Sequence, residues 1–210
     1  ENIWIAQREG RAKDSNDRTQ DAILKMMAMG GEGTPIQRLK ALHIVPMALS
    51  YEYDPCDYLK AKEFQQKRDI EGFKKSQKDD LLNMQTGIFG FKGRIHFAAA
   101  PCINSWLDTL DPAMPKTELF PLVAQHIDHE IHRNYRLYPC NYVAAALLQA
   151  DGAASHVHHY TAADTDAFRQ YLDSRLALID LPGADVAFLR ERIVTMYANP
   201  VFNHEAALAL

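Results

Sequence analysis

Ile44-Val45-Pro46-Met47-Ala48-Leu49-Ser50-Tyr51-Glu52 is the stretch on which the fold reading turns. Its first six residues are all apolar, the composition of a parallel strand buried on both faces. Pro46 has no N–H to give a ladder, which places it at a strand end or a sheet edge. Asp54-Pro55 then turns the chain. Upstream, residues 2–7 contain Ile3, Trp4 and Ile5 and read as a short buried strand. Thr19 is placed to cap a helix over 20–29, where Ile23, Met26 and Met27 fall at helical spacing. Glycines 30, 31 and 33 end it, and a second short helix over 34–42 has Pro35 in its first turn. A helical crossover between two strands predicts that 2–7 and 43–51 are parallel neighbours.

Downstream, residues 56–85 are polar and free of Pro, which predicts mostly helix. Residues 93–100 read as another strand, ended by Pro101. From Thr117 onward the pattern is helical. Leu119, Leu122, Val123, His126, Ile127 and Ile131 share a face, and further helices are expected over 142–149, 161–179 and 184–198.

Composition fits an ordinary globular protein, with 47% hydrophobic and 24% charged residues. A net charge of −4 gives no basic field for nucleic acid. The longest apolar run, 142–148, falls far short of the roughly 18–20 residues of a membrane span. Cys56, Cys102 and Cys140 are odd in number and widely spaced, which suits reduced thiols in a cytosolic compartment. All eleven lysines lie at or before Lys116, so the two ends of the chain are built differently. The opening Glu1-Asn2-Ile3-Trp4-Ile5 has no signal-peptide plan and starts inside a strand-like segment, as expected of a piece of a longer protein.

Chemistry concentrates in the loop after the first strand. Arg8, Arg11, Lys13 and Arg18 are positioned in sequence to surround a phosphate, with Arg offering a bidentate fork. Gly10 lets backbone approach a ligand, and Glu9 can orient an arginine or meet a ligand hydroxyl. The plain alternative is a solvated loop whose acids, from Glu1 to Asp21, offset its bases.

Trp4-Ile5-Ala6-Gln7-Arg8-Glu9-Gly10-Arg11 resembles the third conserved block of the glycerolipid acyltransferases. The stretch 44–52 resembles their fourth block, a strand with an internal Pro. Lys92-Gly93-Arg94-Ile95-His96-Phe97 followed by Pro101 is similar to a late strand of the glycerol-3-phosphate acyltransferase branch. Ile131-His132-Arg133-Asn134, Tyr138-Pro139 and Ala144-Ala145-Ala146-Leu147-Leu148 resemble that branch's helical region.

The resemblance implies an α/β fold: the second half of an acyltransferase sheet domain with helical crossovers over 1–115, then a helical region over 116–210. It implies acyl transfer from acyl-CoA or acyl carrier protein to the hydroxyl of glycerol 3-phosphate or a similar acceptor, without cofactor or metal. Glu9, Gly10, Arg11, Arg8 and Lys13 become the substrate-binding set. The expected setting is cytoplasmic and peripheral, at the inner face of the membrane. The family's general base, the His of a His-x4-Asp block, would lie upstream of Glu9. No such block stands there, so residues 1–210 alone are expected to transfer no acyl group. The small residue usual between Gly and Arg is also missing, leaving Arg11 and Lys13 as competing phosphate ligands.

His159 and Asp164 fit His-x4-Asp but follow the other blocks, the wrong order. A rival enzyme class is a metal-dependent hydrolase using the His-rich helices. His126, His129 and His132 span about 120° of a helix, an awkward arc for one ion. HExxH is not present there, because His129-Glu130-Ile131-His132 is one residue short. The third class is a non-catalytic interaction module. Residues 60–78 carry seven bases against three acids, either a solvated face or one that attracts anionic lipid or an acidic carrier.

Overall fold

The computed structural model describes residues 3–5, 13–149 and 156–209. It is a helical structure with a small sheet. The elements run α1 (Asp21–Met27), α2 (Pro35–Ala41), β1 (Met47–Tyr51), α3 (Asp57–Asp69), α4 (Gln77–Phe89), β2 (Ile95–Ala99), α5 (Asn104–Leu107), α6 (Lys116–Arg133), α7 (Pro139–Leu148), α8 (Ala162–Ala177) and α9 (Val186–Leu208). Among the described residues no helix is long and apolar enough to cross a membrane.

β1 pairs with β2, and the pairing is antiparallel, with Met47 opposite Ala99 and Tyr51 opposite Ile95. The carbonyls of Pro46 and Ile44 extend the ladder, accepting from Ala100 and Ile103 at 2.9 and 3.0 Å. This corrects the expectation of a parallel sheet joined by the α1–α2 crossover. Ile3, Trp4 and Ile5 form no strand and are exposed; the rest of 2–7 lies outside the described residues. Sheets with both faces covered favour parallel strands, but Ile95 and Phe97 stand 49% and 58% exposed, so this ribbon is covered on one side only.

Local chemistry sets the helix ends. Thr34 and Gln37 form a capping box with Pro35 at the first helical position. Ser76 with Asp79 and Thr161 with Asp164 do the same for α4 and α8. Residues 56–85, expected to be mostly helical, are so, in two helices. Gly72 has φ +69°, a left-handed conformation that suits glycine, and the Ser76 cap restarts the chain as α4.

Two apolar clusters hold the helices. One joins Leu24, Ile36, Leu39, Ile103, Leu107, Leu119, Val123 and Ile127, from α1, α2, α5 and α6. The other joins Val143, Ala144, Phe168, Leu172, Leu189, Ile193, Tyr197 and Val201, from α7, α8 and α9, with Ala61 of α3. α9 is the central rod, packed against α3, α6, α7 and α8. α4 differs in kind, because it buries none of its residues.

At the centre lies Asp57, fully buried at the start of α3. Arg175 of α8 donates Nε to its Oδ1 at 2.6 Å and Nη2 to the Pro55 carbonyl at 2.7 Å. Tyr171 and Tyr197 donate their hydroxyls to Oδ2 at 2.6 and 2.9 Å. Tyr197 Oη also accepts from the Asp54 N–H at 3.0 Å. Burial pushes the Asp57 carboxyl above its usual range, and Arg175 and Tyr171 pull it back.

The difference between α9 and α4 is measurable. Ile193 is fully buried, so Ile193→Ala should cost about 2–5 kcal/mol in urea unfolding. Ile88 of α4 is 62% exposed, and Ile88→Ala should stay within about 0.5 kcal/mol. Equal losses would contradict this arrangement of the core.

Candidate functional site

The basic loop is described from Lys13 onward, and that part is fastened to three helices. Lys13 Nζ bonds Glu63 of α3. The Asp14 carbonyl accepts from Asn199 Nδ2 at 2.7 Å, and Asn16 Oδ1 accepts from Asn203 Nδ2 at 3.2 Å, both on α9. Thr19 gives its N–H and its hydroxyl to Asp128 Oδ1 of α6, at 2.7 and 2.6 Å. His132 donates Nε2 to the Asp17 carbonyl at 3.2 Å. Thr19 therefore ties the loop to α6 rather than capping α1, whose N-cap is Gln20 with no side-chain bond.

A cleft of about 540 Å³ opens beside this loop, lined by Arg18, Asp21, Asp128, His129, His132 and Asn203 among others. Arg18 reaches toward Asn203 Oδ1 at 3.5 Å, too long for a strong bond, which leaves its guanidinium available to an anion. Burial holds His132 below its ordinary value of 6.5, so the neutral ring is favoured.

Of the residues expected to bind substrate, Lys13 serves a second purpose. Glu63 is buried, and Lys67 and Lys75 also lie 3.1 and 2.7 Å from its oxygens. Lys13 thus anchors the loop on a carboxylate that already holds two other cations. Arg8, Glu9, Gly10 and Arg11 lie outside the described residues.

A second cluster gathers at the end of the β ribbon. Arg94 gives Glu52 a bidentate fork, with Nη2 to Oε1 at 2.8 Å and Nε to Oε2 at 3.1 Å, and its N–H meets Oε2 at 2.9 Å. Those bonds with Arg94 hold the Glu52 carboxyl below its usual range. Gly93 is needed for this approach: its φ is +62°, and a Cβ there would sit 2.6 Å from Glu52 Oε2. Arg94 lies over Tyr138, 4.7 Å from the ring centre. Cys140 Sγ donates to the Glu52 carbonyl at 3.2 Å, and Ser50 Oγ accepts from the Arg136 N–H at 3.0 Å. Burial pushes the Cys140 thiol up to about 12, an unreactive value. So 44–52, 92–97 and 131–148 meet at one place.

The other histidines are dispersed. His126 stacks on Trp106 with ring centres 3.9 Å apart, and His129 donates Nε2 to the Ala207 carbonyl at 3.0 Å. Among the described residues no three His, Cys, Asp or Glu side chains are grouped to hold a metal. His159 stacks on Tyr142 at 4.1 Å, while Asp164 caps α8 through Thr161.

Sequence reading missed Glu63, Asp128, Asn199 and Asn203, which fix the loop. An acid inside a lysine-rich helix was the only cue to Glu63; the asparagines gave none, because their partners are 185 and 187 residues away. Comparison with models of known families, with curated proteins and with solved structures finds no match to this chain.

His132 and His126 are both held below 6.5 by burial. Below 6.5 the unfolded chain takes up protons that these buried rings resist. Their contribution is complete above 6.5 and is lost as pH falls through their lower folded values. The melting temperature should therefore drop between pH 7.5 and 5.5, and less steeply in His126→Gln/His132→Gln. An identical pH slope in that variant would show that the rings are not the source.

Proposed function

We propose that this chain is part of a glycerol-phosphate-type O-acyltransferase of phospholipid biosynthesis. The reaction moves a fatty acyl group from acyl-CoA or acyl carrier protein to the hydroxyl of glycerol 3-phosphate or a similar acceptor, at a membrane surface. The acceptor hydroxyl attacks the thioester carbonyl, a general base takes its proton, and the thiolate leaves and is reprotonated. This reading assigns the base to residues outside 1–210. What residues 1–210 contribute is the acceptor's phosphate site and the scaffold behind it.

The observation that carries the reading is the docking of residues 13–19, the described part of the basic loop, beside the cleft that Arg18 lines. An anionic headgroup needs a fixed cation in a partly desolvated recess. Lys13 is committed to Glu63, so it secures the loop, and Arg18 lines the cleft where a phosphate would sit; Arg11 joins it in this reading on the family resemblance alone. Further support comes from Glu52 and Arg94, where three segments that carry the family resemblance share one hydrogen-bonded cluster.

Losing a charge-assisted hydrogen bond costs roughly 1.5–3 kcal/mol. In the full-length protein, assayed with acyl-CoA or acyl carrier protein and glycerol 3-phosphate, Arg11→Ala should raise the acceptor KM about ten- to a hundredfold. The donor KM should hardly move. Lys13→Ala should lower the melting temperature instead, because Lys13 holds Glu63. An unchanged acceptor KM in Arg11→Ala would remove the phosphate site, and no acyl transfer by the full-length protein would remove the function.

A further inference from the structure

Helix α4 is built inside out. Leu81, Leu82, Met84, Ile88 and Phe89 are all exposed, Ile88 at 62% and Phe89 at 81%. The half-buried positions are the polar or small Asn83, Thr86 and Gly87, and the Asn83 carbonyl accepts from Cys56 Sγ at 3.4 Å. At 100° per residue the five apolar side chains cover an arc of about 160°. Phe91, just past the helix, is 76% exposed. A surface helix of a globular domain normally turns such a stripe toward its core, so this one is shaped for an outside contact.

Charge identifies the contact. Lys78 falls on the same arc as the apolar residues, and the preceding Lys74 is also exposed. Asp79 and Asp80 lie toward the other side of the helix. Asp79 turns back to cap Ser76, with Lys62 and Lys75 nearby to offset it. Lys67 and Arg68, late in α3, are paired, with Glu63 and with Asp69 and Asp185, and do not add to this charge. The exposed arc therefore combines aliphatic and aromatic side chains with Lys78, while Asp79 and Asp80 point away from it and Asp79 is engaged by Ser76. An apolar arc with cations beside it fits an anionic lipid surface, where apolar side chains enter the headgroup boundary and lysines meet lipid phosphates.

We propose that α4, with Lys74 and Lys78, is the element by which this protein rests on an anionic membrane. This deepens the membrane-surface part of the proposed function by naming the surface. It draws on exposure and charge alone, so it stands whether or not the acyltransferase reading holds.

The test uses the 210-residue chain and two vesicle types, pure phosphatidylcholine and phosphatidylcholine with about 30% phosphatidylglycerol. Wild type should sediment with the anionic vesicles at least about tenfold better than with the neutral ones. Ile88→Asp/Phe89→Asp should lose sedimentation with both. Lys74→Glu/Lys78→Glu should lose the preference for anionic lipid. Phe89→Trp should show a blue-shifted emission on adding anionic vesicles. All these positions are exposed, so circular dichroism and the urea midpoint should stay at wild-type values. Three results overturn the proposal. Wild type could stay in the supernatant with both vesicles. Ile88→Asp/Phe89→Asp could bind like wild type. Or light scattering could show a dimer that the same substitutions dissolve, which would make a second copy the occupant.

Discussion

A carboxylate with no access to water has to be satisfied by its neighbours, and Asp57 is satisfied by three side chains and the Tyr58 N–H. That requirement fixes the relative positions of the start of α3, the middle of α8 and the middle of α9. It also fixes the turn before α3, because Arg175 holds the Pro55 carbonyl and Tyr197 holds the Asp54 N–H. The turn follows β1 directly, so the position of Glu52 depends on it. From Glu52 the constraint passes to Arg94, Tyr138 and Cys140. A buried charge cluster in the helical body thus holds a sheet that two strands alone would leave marginal.

The same body holds the described part of the basic loop, from Lys13 onward. α3 supplies Glu63 for Lys13, α6 supplies Asp128 for Thr19, and α9 supplies Asn199 and Asn203 for residues 14 and 16. A loop rich in charge would otherwise be mobile, and a mobile loop is a poor phosphate site because ordering it would oppose binding. On the proposed function, rigid helices behind the loop would give an acceptor site its geometry and the outward apolar helix would give a membrane contact, two demands placed on separate segments.

Much of the helical plan was legible in the sequence because its signals are local. Pro35 in the first turn marked the start of α2, and the helix expected over 161–179 is α8. The strand around Ala48 was visible from its apolar run, but its direction was not, since direction depends on which partner covers which face. Residues 56–85 read as mostly helix because no Pro interrupts them, and the break at Gly72 between α3 and α4 was not read. The last helix was expected to stop near Ala198, ahead of Pro200. It runs on to Leu208 because Val201, Asn203 and Ala207 are buried beyond the proline, and their packing outweighs the lost hydrogen bond. The candidate site was legible as a basic loop and no more, since the residues that fix it are far away in sequence.

The helical body depends most on Asp57 and Arg175 acting as a pair. A double-mutant cycle on Asp57→Asn and Arg175→Met, read by urea unfolding, measures that directly. Removing either partner leaves a buried polar or charged group uncompensated, so Arg175→Met alone should cost about 3–5 kcal/mol. The double variant should lose less than the two single losses added together, by about 1–3 kcal/mol. Additive losses would mean that the two groups do not depend on each other, and Asp57 would no longer explain how α3, α8 and α9 are held together.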